Sequence, residues 1–190
     1  STGTDRGTCG EGVTVAKIDG GGNLIYASIP IDSTIGEGRG FYRTTEAITA
    51  TMHGNGVDVW VTVHPMYATY FLSYLLTKDG FVTNPVVSND APYTNINSAV
   101  GDLEFSHDGS MFACGVEIDN SEVENYDYYA FGTINLYDFD NNTGVISKRK
   151  AIYNKQWLTQ KINNLLFTVD DLELHYSGWG GNSGKLQLVV

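Results

Sequence analysis

An all-β fold of short antiparallel strands is what this sequence predicts, and three observations predict it. Apolar residues fall in short runs rich in Val, Ile, Thr, Phe and Tyr, the composition of pleated, half-buried strands. Nearly every gap between runs carries Gly beside Asn or Asp, as in "GNG", "KDG", "HDG", "DNNTG" and "WGGNSG", and these residues tolerate the positive φ of hairpin turns. No segment sustains a 3.6-residue apolar period over three turns.

The elements follow in order. Residues 1–12, "STGTDRGTCGEG", are polar and glycine-rich and read as a flexible lead-in. "VTVAKI" and "NLIYASI", separated by Asp19-Gly20-Gly21-Gly22, read as a hairpin. The strands "AITATMH", "DVWVTVH", "YFLSYLLT", "FVTNPVVS", "VGDLEFS", "SMFACGVE", "TINLYDFD", "VISKRKAIY", "NNLLFTVD", "LELHYSG" and "KLQLVV" come next. "NKQWLTQKINNLL" is the nearest helical candidate, but Trp157, Ile162 and Leu165 are irregularly spaced, so it offers at most a short helical turn.

Composition limits the functions open to the chain. Its 190 residues suit one domain, taken as 13–190, and 42% hydrophobic residues are ample for a core. A net charge of -11 repels a nucleic-acid backbone, so no nucleic-acid partner is expected. No apolar run approaches the roughly 20 residues that cross a bilayer, and no signal peptide is visible. The expected object is a processed or excised piece without membrane insertion. Cys9 and Cys114 lie far apart; Cys114 sits in an apolar strand pattern, which favours a buried free thiol over a Cys9 to Cys114 disulfide.

The strand pattern repeats. "EAITATMHGNG", "DVWVTVH", "YFLSYLLTKDG" and "FVTNPVVS" have the same grammar as "VGDLEFSHDG", "SMFACGVE", "GTINLYDFDNNTG" and "VISKRKAIY", and a third copy starts at Ile162. Second strands begin near Val59, Met111 and Glu173, a spacing near that of four-stranded propeller blades with one long inter-strand loop. The expected architecture is therefore a β-propeller of four-stranded antiparallel blades. About four blades are present, the terminal ones incomplete, as a partial ring or a fragment of a larger one.

The stretch "ITATMHGNGVDVWVTVHPMYATYFLSYLLTKDGFVTNPVVSN", with "GDLEFSHDGSMFAC" and "INLYDFDNNTGVISK", resembles the YVTN- and WD40-like β-propeller region of large secreted Bacteroidetes surface proteins. The resemblance covers roughly Leu24 to Lys150. His107 stands where that pattern has a proline, in "FSPDG", and Met52-His53-Gly54-Asn55 stands where a lysine-histidine pair is usual. The resemblance implies an extracellular or cell-surface location, through type IX secretion or gliding-motility-associated proteins. Phages of such bacteria carry domains of this type, so a virion structural or receptor-binding component is the alternative.

No catalytic pattern stands out. "GNSG" in "WGGNSGK" has a serine but no histidine in an activating context, and His53, His64, His107 and His175 are scattered at or beside strand ends. "SHDGS" lacks the spacing of a sialidase Asp-box and reads as a turn. Asp138, Asp140 and Asn142 alternate like the first ligands of a calcium loop, but Gly144 comes one position late and Arg149 replaces the closing glutamate. Calcium is the only cofactor these residues suggest, and none is required.

The binding candidates lie in loops. Residues 117–129, "EIDNSEVENYDYY", bring Glu117, Asp119, Glu122, Glu124 and Asp127 together with Tyr126, Tyr128 and Tyr129, side chains suited to a protein or glycan ligand. His64 and Tyr67, in "HPMY", occupy the matching loop of the preceding blade and should share its face; Trp60 reads as core. The expected function is a non-catalytic binding or adhesion module whose partners are a protein, a glycan or the rest of its parent chain. A carbohydrate-active or lactonase-like propeller enzyme is the remaining alternative.

Overall fold

A computed structural model describes residues 13–18, 21, 24–29, 44–66, 68–92, 101–118, 131–152, 162–178 and 183–188. Among these residues every regular element is a β-strand, and neighbouring strands pair antiparallel, as expected. β1 (Val13–Ile18) and β2 (Leu24–Ile29) form the predicted hairpin. A leading sheet holds β3 (Thr44–Met52), β4 (Val59–Pro65), β5 (Tyr70–Thr77), β6 (Gly80–Phe81) and β7 (Val86–Asn89). A central sheet holds β8 (Gly101–Phe105), β9 (Met111–Ile118), β10 (Phe131–Asp140) and β11 (Val145–Ile152). A trailing sheet holds β12 (Ile162–Phe167), β13 (Glu173–Gly178) and β14 (Ser183–Gln187). The end of the helical candidate is thus strand, whereas residues 153–161 and the lead-in at 1–12 lie outside the described residues.

One detail differs from the sequence reading. "FVTNPVVS" is two short strands, β6 and β7, which pair with successive parts of β5. Pro85 falls between them, and a residue with no N–H interrupts a ladder.

The repeat is visible at the first turn of each sheet. His53 N bonds Asp58 O, Ser106 N bonds Met111 O and Thr168 N bonds Glu173 O, each closing a six-residue turn. In each turn the fourth residue donates its N–H to the first residue's carbonyl: Gly56 to His53, Gly109 to Ser106, Asp171 to Thr168. The third residue, Asn55, Asp108 or Asp170, accepts from amides further along the turn. The fourth is left-handed in all three, with φ of 70° at Gly56, 68° at Gly109 and 57° at Asp171.

These sheets stack with equivalent strands together. β3 lies against β8 and β8 against β12, while β7 lies against β11 at the opposite edge. The central sheet is therefore apolar on both faces, which explains why its strands read as dense runs rather than clean alternation. Phe112, Cys114 and Val116 of β9 join Trp60, Phe71, Phe105, Tyr137 and Phe139 in the core on the leading side. Ala113 and Ile134 join Ile162, Leu165, Phe167 and Leu174 in the core on the trailing side. Cys114 is a free, fully buried thiol, and Trp60 is core, both as expected.

Neighbouring sheets also satisfy each other's edges. β11 is an outer edge strand, and its Ile146 N–H donates to Ser88 Oγ of β7 at 2.9 Å. β12 is an inner edge strand, and its Leu165 N–H donates to Asp102 Oδ2 of β8 at 2.6 Å. A buried backbone donor without a partner would be costly, so these two side chains fix the spacing of the stack. Burial pushes the Asp102 carboxyl above the ordinary range, opposed by the amides of Leu165 and Leu103.

Candidate functional site

The strand directions sort the connections onto two ends of the stack. One end carries the tight turns at 53–58, 106–111, 140–144 and 168–173. At the other end, β4 stops at Pro65 and β5 starts at Tyr70, while β9 stops at Ile118 and β10 starts at Phe131. The two segments singled out for binding therefore leave and re-enter at the same end. Asp119, Glu122, Glu124, Tyr126, Asp127, Tyr128 and Tyr67 lie outside the described residues, and Glu117 is placed only by its backbone in β9.

His64 is not on that surface. Its side chain is 1% exposed and packs on Phe71 with ring centroids 5.0 Å apart. Nε2 lies 3.4 Å from Ala68 O. Burial lowers its pKa to about 4, against the opposing pull of the Ala68 and Pro92 carbonyls, so the ring is neutral at pH 7. The physical reason is the period of the strand: Trp60, Thr62 and His64 alternate onto one face, and Trp60 commits that face to the core.

At the turn end, Asp138, Asp140 and Asn142 each make contacts of their own. Asp138 Oδ2 pairs with Lys148 Nζ at 3.1 Å. The Asp140 carboxylate turns back on its own loop, accepting from Asn142 N at 3.0 Å and Thr143 Oγ1 at 2.8 Å; these bonds, the hydroxyl first, hold its pKa down. Among the described residues no group of three or more His, Cys, Asp or Glu side chains is arranged to hold a metal ion. Gly144, left-handed at φ 77°, lies under the Trp60 ring, where a Cβ would come within 2.7 Å, and Trp60 Nε1 donates to Asn141 O at 2.9 Å. The alternating acids thus serve a turn that caps the core.

"SHDGS" is a turn, as expected. Burial pushes the Asp108 carboxyl up, but bonds from Ser110 N, Ser106 Oγ and Ser110 Oγ outweigh it and the pKa falls. The turn is also clasped from outside. Asp171 Oδ1 accepts from His107 N at 2.8 Å and Oδ2 from Asp108 N at 3.1 Å, so the trailing sheet grips the turn of the central one. The sequence reading missed Asp171, although it stands where the other two repeats have Gly56 and Gly109.

Beside this clasp a groove of about 990 Å³ opens between the central and trailing sheets. Leu136, Asp138 and Lys150 form its central-sheet wall, with Met111 and Asp108 at the turn end. The opposing wall includes Asp170, Asp171, Leu172, Leu186 and Leu188. A concavity of this size, lined by apolar and charged side chains, is suited to binding, and at its turn end the Ser110 hydroxyl donates to the Asp108 carboxylate at 2.8 Å.

No family model matches the chain, and no curated protein matches it. Among solved structures it is similar to a candidate 6-phosphogluconolactonase of Bacteroides fragilis, at 9% identity and a TM-score of 0.39; the match covers 67% of this chain and 30% of that one, so the chain spans less than a third of that protein's length.

Proposed function

We propose that the chain is a section of a β-propeller, its three successive sheets being blades, and that it serves as a non-catalytic binding or adhesion module of a larger secreted or surface-displayed protein. One observation carries this reading: the six-residue turn that recurs at His53, Ser106 and Thr168 and sets β3, β8 and β12 side by side. Sheets related in this way project their remaining connections from one end, as propeller blades do. Glu117 of the acidic, tyrosine-rich stretch 117–129 lies at the end of β9, and residues 119–129 fall in sequence between β9 and β10, whose ends face that side. Carboxylates and phenol rings together suit hydrogen bonding to, and stacking against, a glycan or a protein surface. The blade count of the complete ring and display on a bacterial surface or a virion are parts of the same proposal.

The test replaces Glu122, Glu124, Tyr126, Asp127 and Tyr128 by serine and compares both chains on a printed glycan array and an array of extracellular proteins. The expected result is a ligand bound by the wild type and lost by the variant at unchanged melting temperature. Identical binding by the two chains, or turnover of a sugar lactone by either, counts against the reading.

A further inference from the structure

The central sheet is flanked unequally at its outer edge. On the leading side β7 lies over β11, and Ser88 and Asp90 hold it there through Ile146 N and the Tyr137 hydroxyl. On the trailing side no described strand fills the matching place, because β14 is the outermost of three strands and, among the described residues, pairs with β13 alone. The groove over Leu136, Asp138 and Lys150 occupies that place, with Val169, 85% exposed, and Leu172, 47% exposed, in its wall.

We propose that this groove docks an extended polypeptide segment as a fourth strand, antiparallel to β14, with lysine or arginine side chains directed at Asp108, Asp138, Asp170 and Asp171. A free strand edge is a template of unpaired N–H and C=O groups, and a strand added to it gains main-chain hydrogen bonds regardless of its sequence. β7 shows the direction and length required: it runs antiparallel to β5 over Tyr70 to Ser73, four residues, and β14 has five. Alternate side chains of such a strand enter the groove, where Met111, Leu136 and Leu186 offer apolar contact. Charge selects the occupant. The walls carry four carboxylates against Lys150, with Lys148 reaching Asp138 from β11, so a cationic segment is attracted and an anionic one repelled. The proposal rests on this groove and not on residues 117–129, so either can fail alone.

The test titrates the wild-type chain with a ten-residue peptide of alternating lysine and valine, a copy N-methylated at every second amide, and a copy with glutamate for lysine. N-methylation keeps charge and apolar surface but removes the donors that pair with β14. The lysine peptide is expected to bind and to slow hydrogen exchange at every second amide of β14. N-methylation should weaken it by at least about tenfold, as should Leu136→Lys in the groove wall, and the glutamate peptide should not bind. Should Leu136→Lys fail to fold, the N-methylated comparison on the wild-type chain still decides. Equal binding of the N-methylated peptide, or unchanged exchange in β14, overturns the proposal. So does protection of β14 before any peptide is added, or self-association through β14 in sedimentation, which would give the groove to a second copy.

Discussion

The two faces of the central sheet share the same strands and meet different neighbours. Toward the leading sheet the interface is closed from edge to edge: Phe71, Phe112 and Tyr137 interlock with ring centroids 5.0 to 5.9 Å apart, and Ser88 caps the outer rim. Toward the trailing sheet, among the described residues, the inner half is closed by Ile162, Leu165 and Phe167 against Ala113 and Ile134, with Leu136 and Leu186 packed only partly buried beside them. The outer half is the groove. A strand's burial is therefore set by what its neighbour brings opposite it, and Leu136 and Tyr137, adjacent in β10, end in an open groove and a sealed core.

The largest difference should appear in truncations on the two faces. Phe112→Ala, which empties a fully buried site in the closed interface, is expected to cost about 3 to 5 kcal/mol by urea denaturation, and Leu136→Ala less than about 1.5. Equal losses would mean that the groove is already packed.

Next in size is a pH effect confined to the closed face. The unfolded His64 takes a proton near the ordinary histidine value of 6.5, whereas the buried ring resists until about 4, so the unfolded state binds more protons between these values. Stability then falls as pH drops through that window, by about 3 kcal/mol in all from the shift at roughly 1.4 kcal/mol per unit. A His64→Gln chain should lack this part of the slope. The same slope in both chains would assign the loss to other groups.

The edge contacts come third. Ser88→Ala leaves the Ile146 N–H without its acceptor and should cost about 1 to 3 kcal/mol. Asp171 is held at φ 57° by its position, and the strain is offset by its bonds to His107 and Asp108. Asp171→Ala loses the clasp and keeps the strain, at a cost of about 1 to 2 kcal/mol, whereas Asp171→Gly relieves the strain and should cost less. The reverse order would show that the clasp is not what holds that turn. The smallest effect is none: removing calcium with a chelator should leave the melting temperature unchanged, because among the described residues no three His, Cys, Asp or Glu side chains are grouped to hold the ion. A fall on chelation would restore Asp138 and Asp140 as ligands.

Much of this fold is legible in the chain. Gly56, Gly109 and Gly144 announce turns, and the recurrence of Val59, Met111 and Glu173 as second-strand starts gives the repeat, because turn chemistry and strand period are local. What escapes is set by neighbours. "TVDDLE" does not resemble "SHDGSM" until Asp171 is seen tolerating a left-handed backbone to reach the next sheet. The loop context of "HPMY" points His64 outward, whereas its alternation with Trp60 and Thr62 carries the signal that it faces inward. Asp138 and Asp140 alternate like ligands, but the demands of their own strand and turn claim them first. The groove belongs to no single segment; it exists only where β10 and β11 meet a trailing sheet of three strands.

Native-state hydrogen exchange tests the closed and open edges together. Ile146 and Leu165, whose amides are held by Ser88 and Asp102 of neighbouring sheets, should exchange only through global unfolding, while every second amide of β14 should exchange at rates close to those of a free chain. Rapid exchange at Ile146 and Leu165, or uniform protection along β14, would contradict a stack sealed on one side of its central sheet and open on the other.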